Sequence, residues 1–257
     1  MFYSYSKFTT FVNMQFIWVV NWMLPWQYLQ TMIKTLPYIK KLISEGEHQQ
    51  LDFKFEISDS RKIAKTLVAF ANTDGGTLLI GVKDNGNITG VKSDEEYYMV
   101  DAAATMYCKP RVAFETRKWN VDGKTVLEVI IAKSADATHF AEIEPKKWMA
   151  YLRVKDENIL ANTVLLKVWK KKQREKGILI EFSEKEKLLL SYLSTNDFIT
   201  ISKFCKVGMV SRHAAENIMV NLISLGLIKV VYHNLGFVYQ GKDQKKTPEP
   251  SRLAGLL

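Results

Sequence analysis

Residues 47–90 have the sequence EHQQLDFKFEISDSRKIAKTLVAFANTDGGTLLIGVKDNGNITG, which predicts one strand-helix-strand unit. Apolar and polar side chains alternate over 50–57, as in a half-buried strand. Asp52 and Lys54 should therefore lie on the same polar face of that strand. Residues 77–82 are almost all apolar, which is typical of a buried strand. The stretch thus predicts two neighbouring strands joined through a helix.

The helix expected between these strands has a start signal and a turn after its end. Ser58 and Asp59 can accept hydrogen bonds from the first free N–H groups of a helix. The sequence NTDGG at 72–76 contains glycines, which adopt positive φ without strain, and Asn85-Gly86 is typical of a hairpin turn. Asp84 is then expected just beyond the second strand.

Glu47, Asp52 and Asp84 are three acids that could converge on a metal ion. Carboxylate oxygens are suitable ligands for Mg²⁺ or Mn²⁺, and such an ion could activate water at a phosphodiester while Lys54 lies near the phosphate. The alternative is that Asp52 and Lys54 belong to an ordinary exposed strand face. Asp84, which precedes Asn-Gly, would then only help to form a turn.

Three motifs carry a resemblance to a known family: E-x4-D-F-K at 47–54, A-F-A-N-T-D-G-G at 69–76 and L-I-G-V-K-D-N-G at 79–86. They resemble the Schlafen AlbA-like domain, formerly described as a divergent AAA ATPase. The resemblance extends through YLRV and ILAN at 151–162 and implies an AlbA-like mixed-sheet domain.

The same resemblance implies two kinds of function. Members of the family include presumed DNA binders and, among eukaryotic Schlafen proteins, RNA-cleaving enzymes. The three acids of those enzymes would fall on Glu47, Asp52 and Asp84, although Asp52 stands where the family usually has the longer Glu. A nucleic-acid binder and a metal-dependent ribonuclease therefore both stay open.

The rest of the first domain predicts more strands and one more helix. Residues 93–108 begin with a capping-box pattern and should form a helix. Residues 111–118 and 124–132 alternate as two strands around a turn, and 148–154 predicts a further strand. Mixed strands and helices of this kind predict an α+β fold.

Residues 183–240 predict a winged helix-turn-helix. Three helices are expected at 184–193, 201–205 and 211–222, with Gly208 in the turn before the third, followed by two strands at 227–232 and 236–239. Such a module reads DNA in many proteins, and it serves in dimerisation or protein docking in others.

The third of these helices carries the candidate base-reading residues. Its exposed side chains should be Arg212, His213, Glu216 and Asn217, while its apolar residues face inward. Arg212 and Asn217 have donors and acceptors that match base edges in the major groove.

The chain divides into five predicted segments. They are an apolar leader at 1–36, the AlbA-like domain at 37–162, a basic connecting helix at 163–182, the winged helix at 183–240 and a disordered tail at 241–257. Polar residues interrupt the leader, so it is a poor signal peptide and a poor bilayer span. It could be a translated leader outside the functional protein, an anchor or a packed helix, and no stable membrane partner is expected.

Charge indicates a polyanionic partner. The chain has a net charge of +9 and a pI near 9.3, which makes DNA or RNA the first partner to consider and an anionic membrane surface the alternative. The candidate phosphate contacts are Lys54 and the basic residues of the connecting helix: Lys167, Lys170, Lys171, Lys172 and Arg174.

Two further classes are disfavoured. A divergent ATP-binding protein is the weakest alternative, because Gly123-Lys124-Thr125 lies in a predicted hairpin and lacks the first glycine of a phosphate-binding loop. Cys108 and Cys205, the only cysteines, lie in different predicted domains, which supports neither a disulfide framework nor a thiolate zinc site. We therefore expect a cytoplasmic, bacterial-type nucleic-acid-binding protein that acts as a DNA-binding transcriptional regulator. The sequence assigns it no cofactor, except Mg²⁺ or Mn²⁺ if it is a ribonuclease. A homodimer would suit a winged-helix reader of paired half-sites.

Overall fold

The structure, a computed structural model, describes residues 38–172, 182–233 and 236–243. Within these ranges the helices are α1 (residues 38–45), α2 (Ser60–Asn72), α3 (Glu95–Met106), α4 (Thr163–Lys172), α5 (Glu184–Thr195), α6 (Ile201–Gly208) and α7 (Arg212–Ser224). The strands are β1 (Leu51–Lys54), β2 (Gly76–Ile80), β3 (Cys108–Lys109), β4 (Glu115–Val121), β5 (Lys124–Ile131), β6 (Phe140–Glu144), β7 (Lys147–Met149), β8 (Tyr151–Val154), β9 (Glu157–Leu160), β10 (Ile228–His233) and β11 (Gly236–Gly241). The predicted α+β fold class is confirmed.

The central sheet has the strand order β1-β2-β5-β4. β1 and β2 are parallel and are joined through α2, whereas β5 is antiparallel to both of its neighbours. Asp59 caps α2 by accepting a hydrogen bond from the Arg61 N–H at 2.8 Å, and the helix ends at Asn72. The mixed sheet and the strand-helix-strand unit are therefore both present.

β1 differs from the predicted half-buried strand. It ends at Lys54, and Phe55 is exposed. Leu51 and Phe53 pack in a cluster with Ile39 of α1, while Asp52 on the opposite face is buried as well. The polar face predicted from the alternation is thus covered rather than solvated, because α2 and β8 lie near it.

The predicted strand at 148–154 is two strands in two sheets. β7 pairs with β6, which also pairs with β3, whereas β8 pairs with β9. The chain changes sheet at the buried Ala150, whose carbonyl accepts a hydrogen bond from the Ala161 N–H at 2.9 Å. The apolar run at 148–152 does not reveal this change of partner, because it continues without interruption across the position where the chain changes sheet.

One apolar cluster joins the β8–β9 hairpin to the C-terminal helices. It contains Leu152 of β8, Leu165 and Val168 of α4, Leu189 of α5 and Met219 of α7. Because α4 contributes buried side chains to this cluster, it packs as part of the C-terminal core in addition to connecting the two parts of the chain. The domain boundaries stay a prediction.

The C-terminal elements follow the predicted order, with three helices and the antiparallel pair β10–β11. The turn before α7 differs: Gly208 is the last residue of α6, and the left-handed residue is Met209, at φ 49°. Gly208 serves in packing instead, since a Cβ there would lie 3.2 Å from the Phe204 ring. Assignment of these elements as a winged helix stays a prediction.

Some predicted features lie outside the described residues. They are the leader at 1–36, Arg174 at the end of the basic helix, and most of the tail at 241–257. Among the helices of the described ranges, none has both the length and the apolar character needed to cross a bilayer.

The turn after α2 gives a test of backbone geometry. Gly75 has φ +70°, and a Cβ there would lie 2.7 Å from the Ile131 carbonyl oxygen. Gly123 has a similar φ of +77°, but a Cβ there would meet no atom within 4 Å, so this residue isolates the effect of φ. We expect Gly123→Ala to lower the free energy of unfolding by about 1 kcal/mol and Gly75→Ala by about 3 kcal/mol or more. Urea denaturation measures both, and equal losses would contradict the steric role of Gly75.

Candidate functional site

Asp52 lies in a buried ion pair. Only 3% of the residue is exposed, and Oδ1 accepts a hydrogen bond from Nη2 of Arg153 at 2.9 Å. On its other side, Lys54 Nζ lies 2.8 Å from Oδ2, but the hydrogen bond of this ammonium group is directed to the Phe53 carbonyl at 2.6 Å. Oδ2 therefore receives no well-aligned hydrogen bond from the described residues. Two cationic side chains, Arg153 and Lys54, contact Asp52, so its charge is compensated.

Arg153 connects several elements around this pair. It is 1% exposed, and its guanidinium group stacks over the Phe70 ring of α2 at 5.2 Å from the centroid. Nη1 donates to Asn158 Oδ1 at 3.2 Å, and the Asn158 amide donates to Thr66 Oγ1 at 3.0 Å. One side chain thus holds β1, α2, β8 and β9 together.

Two residues of the turn motif add to the same connection. Thr73 Oγ1 accepts a hydrogen bond from the Arg153 backbone N–H at 2.9 Å. The Asn72 side chain donates to the carbonyls of His139 and Tyr151 at 2.9 and 3.1 Å. Asn72 and Thr73, expected only to form a turn, therefore attach the end of α2 to β8.

Glu47 lies next to this pair. Its Oε1 accepts a hydrogen bond from the Phe53 N–H at 2.9 Å and lies 4.0 Å from Lys54 Nζ. Burial raises the pKa of Glu47, and the adjacent Asp52 carboxyl raises it further, against the opposing effects of the Phe53 N–H and Lys54. Glu47 and Asp52 are thus two neighbouring carboxyls, and the cationic partners of Asp52 are closer than the one of Glu47.

Asp84 is not part of this cluster. It is exposed in the turn between Val82 and Ile88, where the Gly86 N–H donates to the Lys83 carbonyl at 2.8 Å. In the described part of the chain, no group of three or more His, Cys, Asp or Glu side chains is arranged to hold a metal ion. This arrangement does not fit a three-carboxylate Mg²⁺ or Mn²⁺ site, and a catalytic role for the three acids stays a prediction.

The basic helix α4 lies against α7. Lys167 Nζ donates to Glu216 Oε2 at 2.9 Å and to Asn217 Oδ1 at 3.2 Å, and Lys171 Nζ donates to Asn221 Oδ1 at 2.7 Å. Glu216, expected to be exposed, is only 7% exposed because α4 covers that side of α7. The sequence alone does not indicate this packing, since no local pattern links residues 50 positions apart.

The candidate base-reading residues have intramolecular partners. Arg212 is exposed and its Nε lies 3.3 Å from Glu216 Oε1. The side-chain oxygen of Asn217 accepts a hydrogen bond from Lys167, and its Nδ2 lies 3.2 Å from Nε2 of His213. Base contacts by Arg212 and Asn217 stay a prediction, and Asn217 would have to exchange these partners to make them.

Positive charge continues beyond α4. Lys170 and Lys172 are exposed, and the pKa of Lys172 is lowered by partial burial and by the nearby charge of Lys133 at the end of β5. Lys133 also lies 3.9 Å from Asp74. Lys133 and Arg153 were not singled out by their sequence context. An Arg between the apolar residues Leu152 and Val154 is nevertheless a signal of a buried charge that needs a partner.

The weakest alternative, ATP binding, has no support in this geometry. Gly123 to Thr125 forms the tight turn between β4 and β5 and the start of β5, not the beginning of a helix. Lys124 Nζ donates to the Ile88 carbonyl at 2.8 Å, so this lysine serves a local contact.

A mixed sheet with a parallel β1–β2 pair and a buried Asp52–Arg153 contact defines the α+β domain in which the acidic motif lies. Residues 47–162 match the model of the family Schlafen, AlbA_2. The predicted family resemblance is therefore confirmed. No curated protein matches the chain.

Two solved structures are similar over larger parts of the chain. One is the DIP2311 protein from Corynebacterium diphtheriae, with 16% identity and a TM-score of 0.42 over 85% of this chain. The chain covers 40% of that protein's length. The other is the N-terminal domain of a putative ATP-dependent DNA helicase RecG-related protein from Nitrosomonas europaea, with 19% identity and a TM-score of 0.32 over 57% of this chain and 96% of that one.

The buried pair predicts a large effect of a nearly isosteric change. Asp52→Asn leaves the Arg153 guanidinium buried without a carboxylate, and we expect the free energy of unfolding to fall by about 3–5 kcal/mol. Asp101→Asn is the matched control, because Asp101 pairs with Arg111 at an exposed site and should lose less than about 1 kcal/mol. Guanidinium denaturation compares them, and similar losses would contradict the structural role of Asp52.

The raised pKa of Glu47 predicts a pH dependence. A carboxyl whose pKa rises on folding stabilises the folded state below its unfolded pKa, near 4.5, and this contribution is lost as pH rises through the folded pKa. Glu47→Gln removes the charge and keeps an oxygen that can accept from the Phe53 N–H. The stability of the variant relative to the parent should therefore increase as the pH rises above the unfolded pKa, as measured by denaturation at several pH values. A difference that stays constant with pH would refute the expected shift.

Proposed function

We propose that this protein binds nucleic acid through a basic surface centred on α4. The observation that carries the proposal is the concentration of Lys170, Lys171 and Lys172 in the last turn of α4. Within the described residues, none of these three lysines has an ion pair with a carboxylate. Lys133 adds a further charge beside Lys172.

The physical basis is the high charge density of nucleic acids. A phosphate backbone releases condensed counterions when lysines neutralise it, which provides affinity for any sequence. A net charge of +9 gives the whole molecule an attraction for such a partner. The match of residues 47–162 to the Schlafen, AlbA_2 family model supports the same proposal, because the resemblance to that family implies presumed DNA binders among its members.

The more specific proposal is a DNA-binding transcriptional regulator. It is supported by the order α5-α6-α7-β10-β11, which is that of a winged helix, and by the exposed Arg212 at the start of α7. Residues at the N-terminal end of a recognition helix are those that contact base edges in such modules. A homodimer would place two such helices on paired half-sites.

Binding should be strongly salt-dependent. If about five phosphates are neutralised, the logarithm of the association constant should fall against the logarithm of salt concentration with a slope of about −4 to −5. Fluorescence anisotropy with labelled duplex DNA, single-stranded RNA and tRNA over a range of KCl concentrations measures this slope. A slope near zero for every ligand that binds would reject electrostatic binding.

The same nucleic acids, used as substrates, distinguish a binding protein from a ribonuclease. Each substrate is incubated with Mg²⁺ or Mn²⁺ and with a chelator, and its length is followed on a denaturing gel. Intact substrate under all conditions supports the binding function. Metal-dependent cleavage that disappears in Glu47→Gln and Asp84→Asn would support the ribonuclease instead. Asp52→Asn is unsuitable for this test, since loss of activity there could follow from unfolding.

A further inference from the structure

A groove runs between α4 and α7 on the surface of the C-terminal core. Its volume is about 360 Å³. The residues that line it are Lys167, Lys170, Lys171, Asn217, Val220 and Asn221. Three of these six side chains are lysines, two are amides and none is an acid, so all the charged groups that line the groove are positive.

The two helices meet through matching spacings. Lys167 and Lys171 are four residues apart on α4, and Asn217 and Asn221 are four residues apart on α7, so each pair lies one above the other on its helix. Their contacts run across the groove at successive turns, at 3.2 Å and 2.7 Å. The amide oxygens therefore hold both ammonium groups at the groove.

The charges of these lysines differ in how they are compensated. Lys167 forms an ion pair with Glu216. Burial raises the pKa of Glu216, but the hydrogen bonds that it accepts from Lys167 and Arg212 lower this pKa overall, so the carboxylate stays charged. Lys171 donates to a neutral amide, and Lys170 is exposed. In the described ranges, neither of these two lysines forms an ion pair with an acid.

The ammonium groups also have donors to spare. A lysine offers three N–H donors, and Lys171 uses one of them on Asn221. A phosphate oxygen between Lys170 and Lys171 would accept the remaining donors and supply the missing negative charge. The groove is open at the surface, so a phosphate on a polymer can reach it.

We infer that the groove between α4 and α7 is a phosphate-binding cleft, in which Lys170 and Lys171 contact the phosphate and Asn221 positions Lys171. The inference rests on the proposed function and gives it a location. It also places the part of α7 around Asn221 beside the phosphate backbone of the nucleic acid. Backbone contact carries no sequence information, so the cleft contributes equally to affinity for unrelated sequences.

The test uses variants of the full chain. Lys170→Met and Lys171→Met remove one charge each and keep the apolar stem. Lys62→Met is the matched control, because Lys62 is an exposed lysine on α2 that does not line the groove. Asn221→Leu keeps every charge and removes the acceptor of Lys171. Circular dichroism and melting temperature establish that each variant is folded.

Affinities are measured by anisotropy with two duplexes of unrelated sequence and with single-stranded RNA, each at several KCl concentrations. We expect Lys170→Met and Lys171→Met to weaken binding about five- to tenfold and to reduce the salt slope by about one. Asn221→Leu should weaken binding about threefold with an unchanged slope, since the lysine charge remains but is no longer held. The two duplexes should be affected alike.

Other outcomes would overturn the inference. If Lys170→Met and Lys171→Met have the same affinity for nucleic acid as Lys62→Met, and the parent protein binds nucleic acid, the cleft is not the phosphate-binding site, but the proposed function stands. A loss of affinity for one duplex and not the other would replace phosphate contact by base contact. An Asn221→Leu variant equal to the parent protein would remove the positioning role of Asn221.

Free phosphate has the same chemistry as a backbone phosphate and needs its own arm. The melting temperature of the parent protein is compared in potassium phosphate and in KCl of equal ionic strength. If the parent binds none of the nucleic acids, the proposed function fails. A phosphate-specific rise in melting temperature that is lost in Lys170→Met and Lys171→Met would then still support the cleft, and no rise would overturn it.

Discussion

The buried ion pair between Asp52 and Arg153 is the contact on which the arrangement of residues 47–162 depends. It joins β1 to β8, two strands that belong to different sheets. A guanidinium group with 1% exposure requires a carboxylate and further acceptors, because an unpaired buried charge is strongly destabilising. Asp52, the Leu51 carbonyl and Asn158 accept hydrogen bonds from its two terminal nitrogens, while Nε has no hydrogen-bond partner among the described residues. These contacts hold the hairpin β8–β9 against the sheet.

This contact changes the chemical interpretation of the acidic motif. An acid that looks available for metal binding on a strand face is engaged by Arg153 and Lys54. Glu47 keeps fewer cationic contacts, and burial and the neighbouring carboxyl of Asp52 raise its pKa. Asp84 lies exposed in its turn. Part of the motif therefore has a structural explanation that does not require a reaction.

The C-terminal part is attached through packing as well as through the chain. Leu165 and Val168 of α4 are buried with side chains from β8 and α7, which fixes α4 against α7. The lysines on the neighbouring turns of α4 then meet polar residues of α7, and their positions follow from the apolar contact beneath them. The side of α4 that packs into the core thus determines which of its lysines face solvent.

The sequence by itself determined the local elements, because their signals are local. The alternation around Asp52, the cap at Asp59 and the glycine turn at 72–76 were sufficient to predict the strand-helix-strand unit, and the three motifs indicated the family. The break at Ala150 and the end of β1 at Lys54 were missed, since a strand's partner is a property of the sheet and not of the strand.

Only the tertiary structure decided what the charged residues do. Asp52, Glu216 and Asn217 all had the pattern of solvent-facing residues, but Arg153 and Lys167, about 100 and 50 positions away along the chain, reach them in the fold. A sequence lists charges in order and does not say which of them meet, because that depends on how apolar faces pack. The candidate site therefore had to be rebuilt from contacts between residues that are distant in the chain.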